Sequence, residues 1–260
     1  MNTSSTSIPT KELLGVPIHA ATMDEVVELC TQAIETRRPL HIGVVNAAKI
    51  VQMRRNALLR ESVLASDLIL ADGMSVIWAS RLLGQRLPER VAGIDLFERL
   101  LALACRRGFS VFFLGATKEV LQEVIRQVHE KYPGARTAAS RDGFFPDEES
   151  PRVAEEIRRA SPDMLFVAMS SPKKELFLGR WADELRVPVC HGVGGSFDVM
   201  VGRVKRAPRV WQRFGLEWLY RVVQEPRRMW RRYLVTNAAF VTMLFGEFVR
   251  KRLLRRPKPS

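Results

Sequence analysis

From about Gly15 to Gly195, short β-branched apolar runs alternate with longer stretches whose apolar residues recur at helical spacing. This is the pattern of successive βα units around a parallel sheet. The expected strands are His41–Asn46, Leu68–Ala71, Ser110–Gly115, Met164–Ser170 and Val187–Val193, and their near-continuous apolar character predicts burial on both faces. The helices between them carry start and stop signals. Thr22-Met-Asp-Glu25 has the spacing of a capping box, and Val26, Val27, Cys30 and Ile34 follow on one helical face. Thr117 is placed to cap the helix after the third strand. Ser171-Pro172 is placed to do so after the fourth, with proline in the first helical position. Asp95 to Arg107 reads as a helix that opens on an acid and closes on Arg106-Arg107 and Gly108, as the helix dipole and C-terminal capping favour. The fold class is therefore α/β, a parallel sheet flanked by helices.

Beyond Gly202 the pattern changes. Arg203-Val-Lys-Arg-Ala-Pro208 marks a boundary, and two long helical stretches are expected after it. In the first, Trp211, Phe214, Trp218 and Val222 share a face while Arg209, Arg213, Glu217 and Arg221 line another. Charge follows the same division. Residues 203–260 carry 16 Lys and Arg against three acids, whereas residues 1–202 carry 25 of each sign, so the whole surplus of +13 sits on the C-terminal stretch. The expected organisation is a neutral body, 1–202, whose first 11 residues form a flexible lead, and a basic helical appendage, 203–260. With 260 residues and 47% hydrophobic composition the body can bury a sizeable core. The three cysteines, Cys30, Cys105 and Cys190, form no CxxC pair and suggest neither a disulfide framework nor a thiolate zinc site. The Ser/Thr-rich start does not read as a secretion signal, and the apolar run from Tyr233 to Val249 is short of the roughly 20 residues a spanning helix needs.

In open parallel sheets ligands bind beyond the carboxyl ends of the strands. Asn46, Ala71-Asp72-Gly73, Gly115-Ala116-Thr117 and Gly192-Val-Gly-Gly-Ser-Phe-Asp198 stand there. Glycines at such places let backbone approach a ligand, and the helix starts behind them offer N–H groups to phosphate, so together they outline a nucleotide cleft. Each also has a plain structural reading: Gly115 as a tight turn, Asp72 as the N-cap of the next helix. No Gly-x-Gly-x-x-Gly and no Gly-x-x-x-x-Gly-Lys-Ser/Thr occurs, which disfavours a dehydrogenase or a P-loop ATPase. No Asp-x-Asp pair occurs, and His19, His41, His129 and His191 are scattered, so no metal site and no cofactor are expected.

Seven segments in order and spacing, Val44-Val-Asn46, Leu70-Ala-Asp-Gly73, Arg90-Val-Ala-Gly-Ile-Asp95, Phe112-Phe-Leu-Gly115, Ser170-Ser-Pro-Lys-Lys-Glu175, Gly192 to Asp198, and Gly215-Leu-Glu-Trp-Leu-Tyr-Arg221 with Glu225-Pro-Arg-Arg228, resemble the WecG/TagA/CpsF family of bacterial glycosyltransferases. The likeness spans about residues 12–235. It implies a Rossmann-like core and an appendage that completes the active site. It further implies an inverting, metal-independent transfer from a UDP-sugar donor to a sugar on a polyprenyl diphosphate, at the cytoplasmic face of the bacterial inner membrane, in the making of cell-surface polysaccharide or teichoic acid. By position Asp72 matches the base, Asn46 and Arg90 match substrate-binding positions, and Arg221, Arg228 and Arg231 match arginines near the diphosphate. The substrate-binding set taken with them is Gly73, Asp95, Gly115, Ala116, Lys173, Glu175, Gly194, Gly195, Ser196 and Asp198. Two departures stand out: Val44 where the family often has Thr, and Lys174 where it usually has Gln. The donor sugar, whether N-acetylmannosamine, its uronic acid or glucose, stays open.

For displacement at an anomeric carbon a fixed carboxylate can take the acceptor's proton, here Asp72, while arginines and helix-end N–H groups stabilise the departing diphosphate. In the tail, Arg227-Arg228 and Arg231-Arg232 precede an apolar run with Leu234, Val235, Ala238, Val241, Leu244, Phe245 and Phe248, and Arg250-Lys-Arg252 and Arg255-Arg256 follow it. Basic clusters around an apolar face suit docking on an anionic membrane surface. The alternative for this helix is packing on the body or on a second copy of the chain, as in a homo-oligomer. A nucleic-acid-binding tail using Trp211, Trp218, Tyr220, Trp230 and Tyr233 is the rival from another class, and no nucleic-acid partner is expected because such an arm has no use for Phe240, Leu244, Phe245 and Phe248. A nucleotide-sugar enzyme acting on soluble substrates is a third reading.

Overall fold

The structure, a computed structural model, describes residues 8–254. The chain opens with a hairpin, β1 (Thr10–Leu13) and β2 (Val16–His19), followed by α1 (Met23–Glu35), β3 (Leu40–Val45), α2 (Ala47–Arg55), α3 (Ala57–Leu64), β4 (Leu68–Ala71), α4 (Met74–Leu82) and α5 (Gly93–Arg107). There follow β5 (Ser110–Gly115), α6 (Lys118–Lys131), β6 (Arg136–Arg141), α7 (Ser150–Ala160), β7 (Met164–Ala168), α8 (Lys173–Leu185), β8 (Val189–Gly192) and α9 (Ser196–Met200). The C-terminal segment adds α10 (Arg209–Arg213), α11 (Glu217–Gln224) and α12 (Pro226–Leu254).

The expected α/β class is what forms. Strands β4-β3-β8-β7-β5-β6 pair side by side, every pairing parallel. The central strands are buried on both faces because each face has its own helix layer. Ile42, Val44, Leu70, Phe113 and Phe166 point to the face covered by α1, α5 and α6, where Phe97, Phe166, Phe113 and Phe197 stack. Val45, Ile69 and Ala71, and beyond them Leu114, Leu165 and Val167, point to the opposite face. Thr22 forms the predicted capping box with Glu25, and Thr117 caps α6.

Several boundaries differ from the sequence pattern. Strands β4 and β5 fall as expected, β7 and β8 are shorter by two and three residues, and β3 is shifted by one, so that Asn46 lies outside it as the N-cap of α2. Helix α5 begins at Gly93, two residues before the acid that seemed to open it. Ser171 does not cap α8: its hydroxyl is buried without a hydrogen bond, and Pro172 occupies the N-cap itself. Thr10 and Lys11 are not part of a flexible lead but stand in β1. Its hairpin turns through Leu14 and Gly15, both at positive φ, and docks on the outer edge of the sheet, where the Ile69 N–H donates to His19 Nδ1 at 3.0 Å. Strand β6 also went unread, since an edge strand as polar as Arg136-Thr-Ala-Ala-Ser-Arg141 carries no apolar run.

The C-terminal segment is not two long helices. Gly215, at φ +60°, breaks the first stretch into α10 and α11, and a Cβ there would strike Trp78 and Met74 of α4. Trp211, Phe214, Trp218 and Val222 therefore do not share one helical face. Helix α12, 29 residues long, lies along α2. Its apolar run divides between two faces. Thr236 and Phe240 are buried, with Ala239, Met243, Leu244 and Phe248 packed against the α2–α4 side of the core. Leu234, Val235, Ala238, Val241, Phe245 and Val249 face outward. Among the described residues no helix is long and apolar enough to cross a membrane.

Candidate active site

Because all six strands run the same way, their carboxyl ends line one edge of the sheet. From the end of β4 to the end of β5 is four strand spacings, roughly 19 Å, wide enough for an extended nucleotide-sugar beside a second substrate. At one end of this edge sits Asp72, half-buried. It is not the N-cap of α4, which is Gly73 with no side-chain capping bond. Its Oδ1 instead accepts the backbone N–H of Gly93 at 2.9 Å, at the positive start of the 15-residue helix α5. The main chain holds this arrangement from two sides: Asp72 N–H donates to Val45 O, and Val91 N–H donates to Ala71 O. The stretch after Arg90 is thereby pinned against the end of β4. Gly73 lies against Asn46, since a Cβ would come within 3.3 Å of the Asn46 Cβ, and Asn46 Oδ1 accepts Lys49 N–H at 3.0 Å.

Next along the edge is a buried cluster that the strand-end reading captured only in part. Lys49 Nζ and Lys174 Nζ both reach Glu175 Oε1, at 2.7 and 2.5 Å, and Lys49 also donates to Val44 O. Burial alone would push the Glu175 carboxyl up, but the two ammonium groups override it and hold it at about 2. Burial, helped by Lys49, pushes the Lys174 ammonium down to about 8. With two cations on one carboxylate the cluster favours an anion nearby. The end of β8 closes over it, where a Cβ on Gly192 would touch Lys174 Cε at 3.2 Å. Glu175 thus anchors two lysines through Oε1, while its Oε2 is buried without a hydrogen bond.

The remaining predicted residues stand at the end of β5, at the start of α8 and in the turn after β8. Gly115, at φ +124°, passes so close to Ala168 that a Cβ would overlap its carbonyl, and Ala116 follows at φ +58°. Gly143 N–H donates to Ala116 O, and Lys173 Nζ donates to the Gly143 and Phe145 carbonyls while lying 4.3 Å over the Phe145 ring. Lys173 therefore holds the 143–145 loop against the edge. Gly194 takes a positive φ, Gly195 is the exposed N-cap of the short helix α9, Ser196 Oγ donates to Val193 O, and the Asp198 carbonyl accepts Val204 N–H.

Arg90 and Asp95 connect this edge to the C-terminal segment. Arg90 Nη1 lies 3.2 Å from Glu217 Oε2, its Nη2 lies 3.6 Å from Asp95 Oδ2 and 3.5 Å from Gln212 Oε1, and Arg206 Nη2 meets Asp95 Oδ1 at 2.6 Å. Arg206, Gln212 and Glu217 were not foreseen as partners, since nothing in their local pattern separates them from other polar helix residues. Arg221 and Arg231 are exposed, on α11 and α12. Arg228 falls in α12, with its side chain outside the described residues. The structure thus groups Asp72, Gly73, Asn46, Arg90 and Asp95 at one end, Lys174 and Glu175 beneath the middle, and Gly115, Ala116 and Lys173 at the far end.

A parallel sheet covered on both faces, with strand-end glycines and a carboxylate held at a helix start, is the frame of an α/β transferase of the glycosyl-transferring kind. The chain belongs to the glycosyl transferase WecG/TagA/CpsF family, whose model matches residues 11–254. A protein of Bacillus spizizenii (strain ATCC 23059 / NRRL B-14472 / W23) is 45% identical to it over 175 residues, 67% of each chain. One of Bacillus subtilis (strain 168) is 39% identical over 194 residues, 75% of each. Both relatives carry the name N-acetylglucosaminyldiphosphoundecaprenol N-acetyl-beta-D-mannosaminyltransferase.

Proposed function

We propose that this protein transfers N-acetylmannosamine from a UDP donor to N-acetylglucosamine carried on a polyprenyl diphosphate, with inversion at the anomeric carbon and without a metal. The observation that carries this reading is the carboxylate of Asp72, fixed through one oxygen at the start of α5 and set at a strand end beside the pinned Arg90. Its second oxygen is the base that accepts the acceptor hydroxyl's proton as the glycosidic bond forms. Arg90, with Arg221, Arg228 and Arg231 from the C-terminal segment, neutralises the charge growing on the departing diphosphate. The names of the two relatives support the acceptor, the sugar and the β-configured product.

The reading includes a place for the reaction. The outward stripe Leu234, Ala238, Val241, Phe245 and Val249 recurs at spacings of four and three, and Arg250, Lys251 and Arg252 stand at its end. Such a helix lies in an anionic bilayer surface, apolar side down, and brings the sheet edge to the lipid-linked acceptor. The test incubates the full chain with radiolabelled UDP-N-acetylmannosamine, its uronic acid and UDP-glucose, with N-acetylglucosamine on a polyprenyl diphosphate as acceptor, with and without chelator. Transfer of N-acetylmannosamine that survives chelation and yields the β-anomer is expected. No transfer from any of the three donors overturns the proposal, and loss of transfer on chelation overturns its metal-free part.

A further inference from the structure

We infer that His191 is a positioning residue for the transfer reaction, holding the base Asp72 in place through the backbone of Gly93; this rests on the reading of Asp72 given above. His191 is fully buried in β8, two strands away from the strand that ends in Asp72. Its packing there is mostly apolar: the ring of Phe166 stands edge-on at 6.4 Å, Cys190 and Gly192 flank it in the strand, and its Nδ1 is buried without a hydrogen bond. Packing alone would be served by valine or isoleucine, and burying an imidazole without a hydrogen bond is costly. The ring has a bond. Nε2 lies 3.0 Å from Gly93 O, and because a carbonyl only accepts, Nε2 carries the proton. The Gly93 carbonyl, in the first turn of α5, has a helical partner four residues on, so the histidine is not needed to satisfy it.

The bond acts on location. Gly93 packs directly on the ring, where a Cβ would lie 3.7 Å from Nε2 and Cε1, and the same residue's N–H holds Asp72 Oδ1 at 2.9 Å. His191, Gly93 and Asp72 therefore form one chain from the sheet interior to its edge. Fixing Gly93 from below fixes the donor that orients the carboxylate and leaves Oδ2 to take the proton. Burial keeps the ring neutral across the working range, so it carries a single proton, and the Gly93 carbonyl 3.0 Å from Nε2 draws that proton to Nε2. Any displacement of the first turn of α5 would swing Oδ1 and misalign the base by a fraction of an ångström, enough to slow proton transfer without touching substrate.

The test uses the full chain and compares kcat and KM for UDP-N-acetylmannosamine in His191→Leu, His191→Gln, Cys190→Ala and Asp72→Asn. His191→Leu is expected to lower kcat by roughly 10- to 100-fold with KM changed less than about twofold. His191→Gln, whose amide nitrogen can reach Gly93 O, should recover most of the loss, and Cys190→Ala, equally buried but facing away, should keep near-normal kcat. Wild-type kcat in folded His191→Leu, an equal rise in KM, or no recovery with glutamine overturns the inference. An inactive Asp72→Asn beside an unaffected His191→Leu removes His191 alone, whereas an active Asp72→Asn removes the base itself. Should the leucine variant fail to fold, nitrogen NMR of the imidazoles in the unmodified protein decides: a neutral ring protonated at Nε2, its signal absent in His191→Gln, is expected, and a ring protonated at Nδ1 overturns the clamp.

Discussion

The sheet body and the C-terminal segment hold their functional groups by different means. In the body several predicted site residues are seated by short bonds to or from the main chain: Asp72 by Gly93, Asn46 by Lys49, Lys173 by the carbonyls of Gly143 and Phe145. In the segment, Arg221 and Arg231 stand exposed on helices that reach the body through Phe240 and its neighbours, and through the polar junction of Arg90, Asp95, Arg206 and Glu217. On the function proposed above, the carboxylate base has to be aligned to a fraction of an ångström, and the group assigned to it is one of those seated by the body's main chain. On the same proposal, cations that meet a diphosphate gain from reach, and the arginines assigned to it stand on exposed helix faces.

Substitutions should expose this difference, beginning with the base. Asp72→Asn should lower turnover about 10³-fold while UDP affinity stays close to normal, measured by transfer assay and calorimetry. Comparable turnover would mean that the Asp72 carboxylate is only structural. Next in size, Phe240→Ala empties a buried site where α12 meets the body and should cost about 3 kcal/mol in urea unfolding. A loss below about 1 kcal/mol would show that α12 is held by something other than this contact.

Acid should act on the body, because the described C-terminal segment has no histidine. Burial pushes both His41 and His191 down to about 4. The unfolded chain binds these protons near 6.5 and the folded chain only near 4, so stability is full above 6.5 and falls as pH drops between the two values. The expected slope is about 1 kcal/mol per pH unit for each histidine, read from urea midpoints between pH 7 and 4.5, and a flat profile would contradict their burial. Glu175 adds a second loss at lower pH, below 4.5, because its folded value is depressed. Smallest of the four, Phe245→Ser on the outward face of α12 should weaken sedimentation with acidic liposomes about tenfold and leave the urea midpoint unchanged, since this ring is 68% exposed. Unchanged sedimentation would move membrane docking away from that stripe.

Local pattern was enough for the βα alternation, the capping box at Thr22, the charge division near Gly202 and the row of strand-end residues from Asn46 to Asp198, because apolar periodicity and glycine placement are properties of short segments. It was silent wherever a residue's role depends on a partner far along the chain. Lys49 gave no local sign that it would share Glu175 with Lys174, and His191 gave none of its bond to Gly93, 98 residues away. Pattern alone also merged the two faces of α12, since an apolar stretch does not say which side will meet α2. The chain by itself determined its class, the row of residues near its strand ends and the sign of its tail. Only the tertiary structure decided which oxygen of Asp72 is held, which arginine meets which acid, and which face of the last helix is left uncovered, because those outcomes are set by packing between segments that are distant in sequence.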